Sequence, residues 1–256
     1  MPIAPEDEAY DAPAGPDGVH GRRLGVLLCH GFTGGPSSLR PWAEHLNSLG
    51  YAVSVPRWPG HGTTWQDCNT TEYADWYAAA VSAFEKLQTE CDEVFVAGLS
   101  MGGCLALNLA IDKGRDVSGL VLVNPAVGSA RKDVKLLPVL KHVVPSTPAI
   151  GNDIKKEGVS ERAYPRTPLR AAHSMFQGMR SVRERLPEVT QPVLMFRSRV
   201  DRVVDPSSGR IIMTTVSSRD LTEQILADSY HVATLDNDAP TIFAGSADFF
   251  GRVSVG

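Results

Sequence analysis

Gly98-Leu99-Ser100-Met101-Gly102 decides the fold, because a short apolar run precedes it and a helix-like run follows it. The preceding run, Val94-Phe95-Val96-Ala97, is typical of a buried strand, and Cys104 to Ala110 is typical of a helix. A serine on so sharp a strand-to-helix turn has strained backbone angles, and the flanking glycines let strand and helix approach closely. Its hydroxyl then projects from a helix N-terminus, where negative charge is tolerated. The pattern predicts that Ser100 is a nucleophile.

Short apolar strands alternate with amphipathic helices along most of the chain. This alternation is typical of a mostly parallel sheet covered by helices on both faces, so an α/β fold is predicted. In such a sheet the active site gathers at the carboxyl ends of the strands. Strands are predicted over 24–29, 52–55, 94–97, 120–123, 193–197 and 221–226, and helices over 38–49, 71–88, from near Ser100, over 207–216 and over 240–250.

Two segments do not follow this alternation of strands and helices. Residues 1–20 are rich in proline, glycine and acids, and they predict a flexible or loosely packed lead-in. Residues 126–187 are basic and proline-rich, without a clear core strand, and they are too long for a simple connection. We interpret them as a helical cap inserted over the sheet and not as a separate domain. Residues 21–125 and 188–256 then form the core.

Composition excludes several classes of protein. The chain has 256 residues, with 43% hydrophobic and 21% charged residues, as in a globular protein with a large core. Its net charge of −4 gives no basic surface for nucleic acid. No apolar run approaches the roughly 20 residues that a membrane-spanning helix needs. The first residues, Met-Pro-Ile-Ala-Pro-Glu-Asp-Glu, do not predict a secretory signal.

The cysteines and histidines give no sign of a metal site. The four cysteines are scattered without a CxxC pair, and buried free thiols are expected of them. The seven histidines lack HxxxH and HExxH spacings, so neither a metal nor another cofactor is expected. Together with the N-terminal sequence, these features predict a cytoplasmic protein.

A serine nucleophile needs a histidine base, which a carboxylate must orient. On this kind of sheet the chain order is serine, then acid, then histidine. His231 follows the last predicted strand and fits the base; the alternative is a surface loop histidine. Asp201 and Asp205 both follow the strand that ends near Arg197. Asp201 is favoured as the acid, because Asp205 precedes a proline and is typical of a helix cap.

Ester hydrolysis also requires backbone N–H donors for the oxyanion that forms. One donor is expected from Met101, the residue after the nucleophile. The other is expected from Phe32, in the glycine-containing loop His30-Gly31-Phe32-Thr33-Gly34-Gly35 after the first core strand. The alternatives for this loop are a plain strand-to-helix turn, or a phosphate loop, which lacks its lysine here.

Five motifs occur in order along the chain. They are His-Gly-Phe-Thr-Gly-Gly-Pro (30–36), Pro-Gly-His-Gly (59–62), Gly-Leu-Ser-Met-Gly-Gly (98–103), Asp-Arg-Val-Val-Asp-Pro (201–206) and Ser-Tyr-His-Val-Ala-Thr-Leu-Asp (229–236). With this set of motifs the chain resembles the bacterial monoacylglycerol lipase and carboxylesterase group of the α/β-hydrolase fold over roughly residues 22–252. The resemblance implies a catalytic triad of Ser100, Asp201 and His231, with Phe32 and Met101 as oxyanion donors.

The resemblance also implies that Glu161 lies near the glycerol head group of a lipid ester, and that His61 is structural. Glu161 has a competing interpretation as a solvated glutamate of the cap. The apolar residues of the cap are expected to line an acyl-chain pocket, or else simply to pack on the sheet. These residues are Val127, Leu136, Leu137, Val139, Leu140, Val143, Val144 and Ile150, of which Leu137, Leu140 and Ile150 are the chosen substrate contacts.

Serine hydrolysis of a small lipid ester, foremost a monoacylglycerol, is therefore expected. A general carboxylesterase, thioesterase, acyltransferase or perhydrolase would use the same triad. A non-catalytic binding module on the same scaffold is a further alternative, against which the complete set of triad residues argues. A transient contact of the cap with a membrane surface stays open, as does the choice between a monomer and a homodimer.

Overall fold

The computed structural model describes residues 3–129, 134 and 136–255. Its strands are β1 (Tyr10–Ala12), β2 (Leu24–Cys29), β3 (Ala52–Val55), β4 (Glu93–Leu99), β5 (Val117–Val123), β6 (Ser146–Pro148), β7 (Arg166–Pro168), β8 (Val193–Ser198) and β9 (Leu221–Leu226). Its α-helices are α1 (Arg40–Ser48), α2 (Trp65–Cys68), α3 (Tyr73–Glu90), α4 (Met101–Lys113), α5 (Leu137–Leu140), α6 (Leu169–Arg185), α7 (Ser207–Thr215) and α8 (Ala239–Ser254). Every strand and helix predicted from the sequence corresponds to one of these elements.

A seven-stranded sheet organises the described residues, in the order β1-β3-β2-β4-β5-β8-β9. All neighbouring pairs are parallel except β1 with β3. Cys29 of β2 pairs with Gly98 of β4, and Leu99 of β4 pairs with Val123 of β5. The carboxyl ends of these central strands therefore meet at one edge, where parallel sheets place their sites.

The inner strands are buried on both faces because helices cover both; these are β2, β3, β4, β5 and β8. In β2 the side chains of Leu24, Val26 and Leu28 pack into one core cluster, together with residues of α1 and α8. Leu27 and Cys29 point the other way, into a second cluster built with α3, α4, α6 and α7. This alternation follows from the two-residue period of a strand. It explains why β2 is apolar throughout, and the predicted α/β class is confirmed.

The lead-in differs from the prediction at residues 10–12. Tyr10 pairs with Val55 and Ala12 with Val53, so β1 is an antiparallel edge strand of the main sheet. The Ser54 hydroxyl also donates to Asp11 Oδ1 at 2.6 Å. Backbone pairing is sufficient to fix a strand this short, and it leaves almost no apolar pattern in the sequence. Met1 and Pro2 lie outside the described residues.

Residues 126–187, which we call the insertion, contain α5, the antiparallel pair β6–β7 and α6. The pair forms a sheet of its own, so the described residues of the insertion add no strand to the main sheet. Met175, Met179 and Val182 of α6 pack in the same cluster as α3 and α4. The insertion is thereby anchored to the core through α6. Residues 130–133 and 135 of the insertion lie outside the described part of the chain.

Two further predictions concern cysteines and membrane spans. Cys29, Cys68 and Cys104 are buried free thiols, as expected, whereas Cys91 is only partly buried. Among the described residues, no helix combines the length and apolarity that crossing a membrane would require.

Candidate active site

Ser100 occupies a strained turn between β4 and α4. Its φ of 59° and ψ of −118° lie where non-glycine residues are rare. Two partners on β5 and just beyond it hold this conformation: the Ser100 N–H donates to Val123 O at 3.0 Å, and the Ser100 carbonyl accepts from Ala126 N at 3.1 Å. The strain is therefore supported by the neighbouring strand, and it presents a half-buried hydroxyl at the sheet edge.

The glycines beside Ser100 are required by backbone contacts. A Cβ on Gly98 would collide with the carbonyl oxygen of Gly102. A Cβ on Gly102 would collide with the carbonyl oxygen of Cys29 at the end of β2. Neither obstacle is a movable side chain, so the close approach of β2, β4 and α4 demands glycine at both positions.

Gly102→Ala is accordingly expected to lower the free energy of unfolding by roughly 2–3 kcal/mol or more, because the clash exceeds any gain in helix propensity. Urea denaturation measures this loss. Gly128→Ala is the matched control, since its Cβ would meet only the Arg183 guanidinium at 3.5 Å, and a change within about 0.5 kcal/mol is expected. Equal stabilities of the two variants would contradict the packing argument.

His231 and Asp201 form a buried hydrogen-bonded pair. The Nδ1 atom of His231 lies 2.8 Å from Oδ2 of Asp201, and both side chains are 7% exposed. The other oxygen of Asp201 accepts from the amides of Val203 and Val204, each at 2.8 Å. These two amides fix the orientation of the carboxylate, so its remaining oxygen must face the imidazole.

The surroundings of His231 change its basicity in two directions. Burial by itself lowers the pKa of the imidazole. The hydrogen bond that His231 donates to Asp201 and the charges of Asp201, Glu161 and Asp153 outweigh burial, and the pKa of His231 is raised above its usual value of 6.5. The site therefore favours the imidazolium that a general base becomes during reaction.

Asp205, the other candidate acid, has a different role in the structure. Its Oδ1 accepts from the amide of Ser207 at 2.8 Å, at the start of α7. This is the helix-capping contact expected from its position before Pro206. The carboxylate that contacts His231 is that of Asp201.

The loop after β2 lies against the nucleophile. A Cβ on Gly31 would be 3.5 Å from the Cβ of Ser100, so the backbone there passes close to the hydroxyl. The ring of Phe32 packs against Trp76, with the centroids 5.6 Å apart, which steadies the loop. Met101 is the first residue of α4, where backbone N–H groups have no intrahelical acceptor. Met101 thus follows Ser100 directly in the chain, and Phe32 follows Gly31, whose backbone passes close to Ser100.

Two buried histidines support this loop from below. His30 lies 2.9 Å from the carbonyl of Gly31 through Nδ1, and its Nε2 accepts from Trp58 N at 3.3 Å. Burial holds the pKa of His30 well below its usual value and lowers that of His61 to about 4. Both rings are therefore neutral near pH 7, as expected of structural histidines.

A cavity of about 270 Å³ opens above Ser100. Ser100, His231 and Phe32 form its base, and Glu161 contributes a carboxylate to its wall. Most of the remaining wall is apolar. It is contributed by Leu137, Leu140, Ile150, Leu169, Ala172, Met175, Phe176, Met179, Val203 and Val204.

Only part of the apolar set expected from the insertion lines this cavity. Leu137, Leu140 and Ile150 do so, and Val127 is buried in the core instead. Val139 and Val143 are 71% and 76% exposed, so expecting them in the pocket was wrong. Leu136 is likewise 64% exposed. Residues adjacent along a short helix point to different sides, and composition alone cannot tell which side faces the cavity.

One face of α6 supplies lining residues that the sequence analysis did not identify. Leu169, Ala172, Phe176 and Met179 recur at intervals of three or four residues, which places them on one side of the helix. That periodicity was visible in the sequence. Periodicity alone does not show what the apolar face contacts, because a helix can bury such a face against either the sheet or a ligand.

Glu161 is fixed at the cavity wall by a reciprocal pair of bonds. Its Oε1 accepts from Asn152 N at 2.7 Å, and its own N–H donates to Asn152 Oδ1 at 2.9 Å. Burial raises the pKa of its carboxyl, although the Asn152 amide acts in the opposite direction. The Oε2 atom faces the loop at Gly34. One acceptor oxygen of Glu161 is thus left for a ligand in the cavity.

Comparison with known proteins identifies the family. The family described as serine aminopeptidase, S33 (Hydrolase_4) matches residues 21–238. A thermostable monoacylglycerol lipase from Bacillus sp. (strain H-257) is 37% identical over 98% of this chain and 97% of its own length. The chain belongs to this family. The protein is therefore a serine hydrolase, the class of enzyme predicted from the elbow at Ser100.

Other relatives of this serine hydrolase support the same family assignment. A carboxylesterase from Bacillus subtilis (strain 168) is 25% identical over 89% of this chain and 92% of its own length. A solved structure described with the metagenome-derived lipolytic enzymes LipS and LipT superposes with a TM-score of 0.92 at 37% identity, covering 98% of this chain and all of the other. The α/β-hydrolase fold and the resemblance drawn from the five motifs are both confirmed.

Proposed function

We propose that the protein hydrolyses carboxylic esters, with monoacylglycerols as its substrate class, through an acyl-enzyme on Ser100. The observation that carries this proposal is that one cavity combines a nucleophilic serine site with walls suited to a lipid ester. Its base holds Ser100 beside the hydrogen-bonded pair of His231 and Asp201. Its walls combine an apolar surface with two carboxylates, that of Asp205, which accepts from the amide of Ser207, and that of Glu161. The names of the relatives, a monoacylglycerol lipase and a carboxylesterase, support the same assignment.

In the first half of the proposed reaction, His231 takes the Ser100 proton through Nε2, because Nδ1 is engaged with Asp201. The Ser100 oxygen attacks the ester carbonyl, and the N–H groups of Phe32 and Met101 stabilise the oxyanion. His231 then gives its proton to the leaving alcohol. A water molecule, deprotonated by His231, releases the fatty acid in the second half. The side chains and backbone amides of the chain, together with one water molecule, are sufficient for these steps.

The cavity's two kinds of surface suit the two ends of a monoacylglycerol. Each methylene buried against Leu137, Leu140, Ile150 and the α6 face contributes about 0.8 kcal/mol, so a fatty acyl chain binds far better than acetate. Oε2 of Glu161 is available to accept a hydrogen bond from a glycerol hydroxyl. Triacylglycerols carry no free hydroxyl for this contact.

A substrate series tests the assignment. We expect hydrolysis of long-chain monoacylglycerols to exceed that of di- and triacylglycerols of the same acid, measured as kcat/KM. Glu161→Gln should lower kcat/KM for a monoacylglycerol by about 10-fold, the effect of one hydrogen bond to a charged group. For the p-nitrophenyl ester of the same acid, kcat/KM of this variant should stay within about threefold of the wild-type value, because this ester has no hydroxyl to bind.

Glu157→Gln is the matched control, since Glu157 is an exposed glutamate of the same insertion. It should behave as wild type on both substrates. If Glu161→Gln lowered kcat/KM equally for both esters, Glu161 would have no specific role in binding the head group. Faster hydrolysis of acyl thioesters than of monoacylglycerols would assign the protein to the thioesterases instead.

We also propose that the insertion acts as the cap of this site and that the protein is cytoplasmic. The cap role is supported by Leu137, Leu140 and Ile150, which line the cavity above Ser100.

Transient contact of the cap with a lipid surface is supported by the exposed side chains of Leu136, Val139 and Val143. The free cysteines support a reducing compartment.

A further inference from the structure

A buried carboxylate of the insertion bonds to both loops that carry the His231–Asp201 pair. Asp153 is 8% exposed. Its Oδ2 accepts from the amide of Arg202 at 3.1 Å and from the amide of His231 itself at 3.2 Å. Its Oδ1 pairs with the Arg202 guanidinium at 3.2 Å. One side chain thus contacts the residue after Asp201 and the backbone of His231.

We propose that Asp153 is a positioning residue, which holds the loops of Asp201 and His231 in the register that their hydrogen bond requires. The proposal rests on the proposed function, in which this pair activates Ser100.

The geometry explains why such a residue is needed. Asp201 follows β8 and His231 follows β9, so the two side chains are carried by separate loops. His231 is fixed on both sides of its backbone: Asp153 accepts from its N–H, and Asn124 Nδ2 donates to its carbonyl at 2.7 Å. A shift of about 1 Å in such a loop can cost on the order of 100-fold in rate.

The same segment of the insertion is bonded to the core at further points. The Asp153 carbonyl accepts from Val232 N at 3.1 Å. The carboxylate of Asp236, which is 1% exposed, accepts from the amides of Lys155 and Lys156 and from that of Tyr230. Residues 152–156 therefore connect the Glu161 wall of the cavity, through Asn152, to the loop of His231.

Asp153 also acts on His231 through its charge. The acidic groups whose charges act on the imidazole are Asp201, Glu161 and Asp153, and each raises the pKa of His231. Arg202 balances part of the Asp153 charge, and its guanidinium lies 3.8 Å from the centroid of the Tyr230 ring. Removal of the Asp153 charge is therefore expected to make His231 a weaker base.

Two substitutions separate position from charge. Asp153→Asn can keep its carbonyl oxygen at the two amides while it loses the negative charge. Asp153→Ala loses both. Asp228→Asn is the control, because Asp228 is an exposed carboxylate that pairs with Lys155 of the same segment. The readout is the second-order rate of Ser100 modification by a fluorophosphonate between pH 5 and 9, which depends on the triad but not on the identity of the natural ester.

We expect the wild-type rate to rise with pH through a midpoint above 6.5, because only neutral His231 is a base. In Asp153→Asn the midpoint should fall below that of the wild type, because the charge of Asp153 raises the pKa of His231, while the rate at pH 9 stays within about fivefold. In Asp153→Ala the midpoint should fall in the same way, and the rate at pH 9 should drop about 10-fold or more. Asp228→Asn should match wild type in both respects.

A wild-type midpoint in Asp153→Asn, with an unchanged plateau in Asp153→Ala, would overturn the proposal. A residue that acts only on stability would lower the amount of folded protein without moving the midpoint, and this outcome also overturns it. If Asp153→Ala does not fold, Asp153→Glu decides, because it keeps the charge but moves the carboxylate by one methylene relative to the amides of Arg202 and His231. Its rate at pH 9 should drop, and an unchanged rate there would overturn the proposal. Absence of any reaction in the wild-type protein would instead contradict the proposed function.

Discussion

Replacement of Ser100 by alanine is expected to lower kcat for ester hydrolysis by about 10⁶-fold, because the acyl-enzyme can no longer form. The backbone conformation of this residue is set by its bonds to Val123 and Ala126, which do not involve the hydroxyl. The variant should therefore fold normally and still bind a long-chain monoacylglycerol in the cavity. Hydrolysis assays on purified protein, with circular dichroism to check the fold, measure this result.

Combining Ser100→Ala with His231→Ala provides a stricter check. Residues that act as one catalytic unit give strongly non-additive losses, so the double variant should be about as inactive as either single variant. Residual hydrolysis near the wild-type rate in Ser100→Ala would exclude an acyl-enzyme at this residue. It would then favour the alternative of a binding module on a hydrolase scaffold.

Asp201→Asn is expected to lower kcat by about 10,000-fold. One oxygen of Asp201 is held by the amides of Val203 and Val204, so an asparagine would keep its carbonyl oxygen there. Its NH₂ group would then face Nδ1 of His231 and donate to it. The proton of the imidazole would be forced onto Nε2, where it prevents the ring from accepting the Ser100 proton.

Asp205→Asn is the matched control for this prediction. Asp205 lies four residues further along the same loop and borders the same cavity, but its carboxylate accepts from the amide of Ser207. Its substitution should change kcat by no more than a few-fold and should only weaken the cap of α7. A large loss in Asp205→Asn with a small one in Asp201→Asn would exchange the roles of the two acids.

The sequence by itself determined the features that depend on residues close together along the chain. The apolar runs at β2, β4, β5 and β8 predicted the parallel sheet, because a strand buried on both faces must be apolar throughout. The glycines around Ser100 predicted the elbow, since only glycine permits the backbone contacts found there. His231 and Asp201 were chosen by their places at strand ends, and the structure joins them at 2.8 Å.

The tertiary structure decided the features that depend on contacts between distant residues. The pairing of β1 with β3, which sets Tyr10 opposite Val55, depends mainly on backbone hydrogen bonds, and these leave almost no side-chain pattern to detect. The apolar face of α6 was readable as periodicity, but only packing shows that Leu169 and Phe176 face the cavity. Asp153 lies 78 residues from His231, and a lone acid in a loop carries no local signal of its partner. Local periodicity and turn chemistry therefore specify strands, helices and the elbow, whereas the walls of the site and the bonds that align it arise only when the folded chain brings distant backbone groups together.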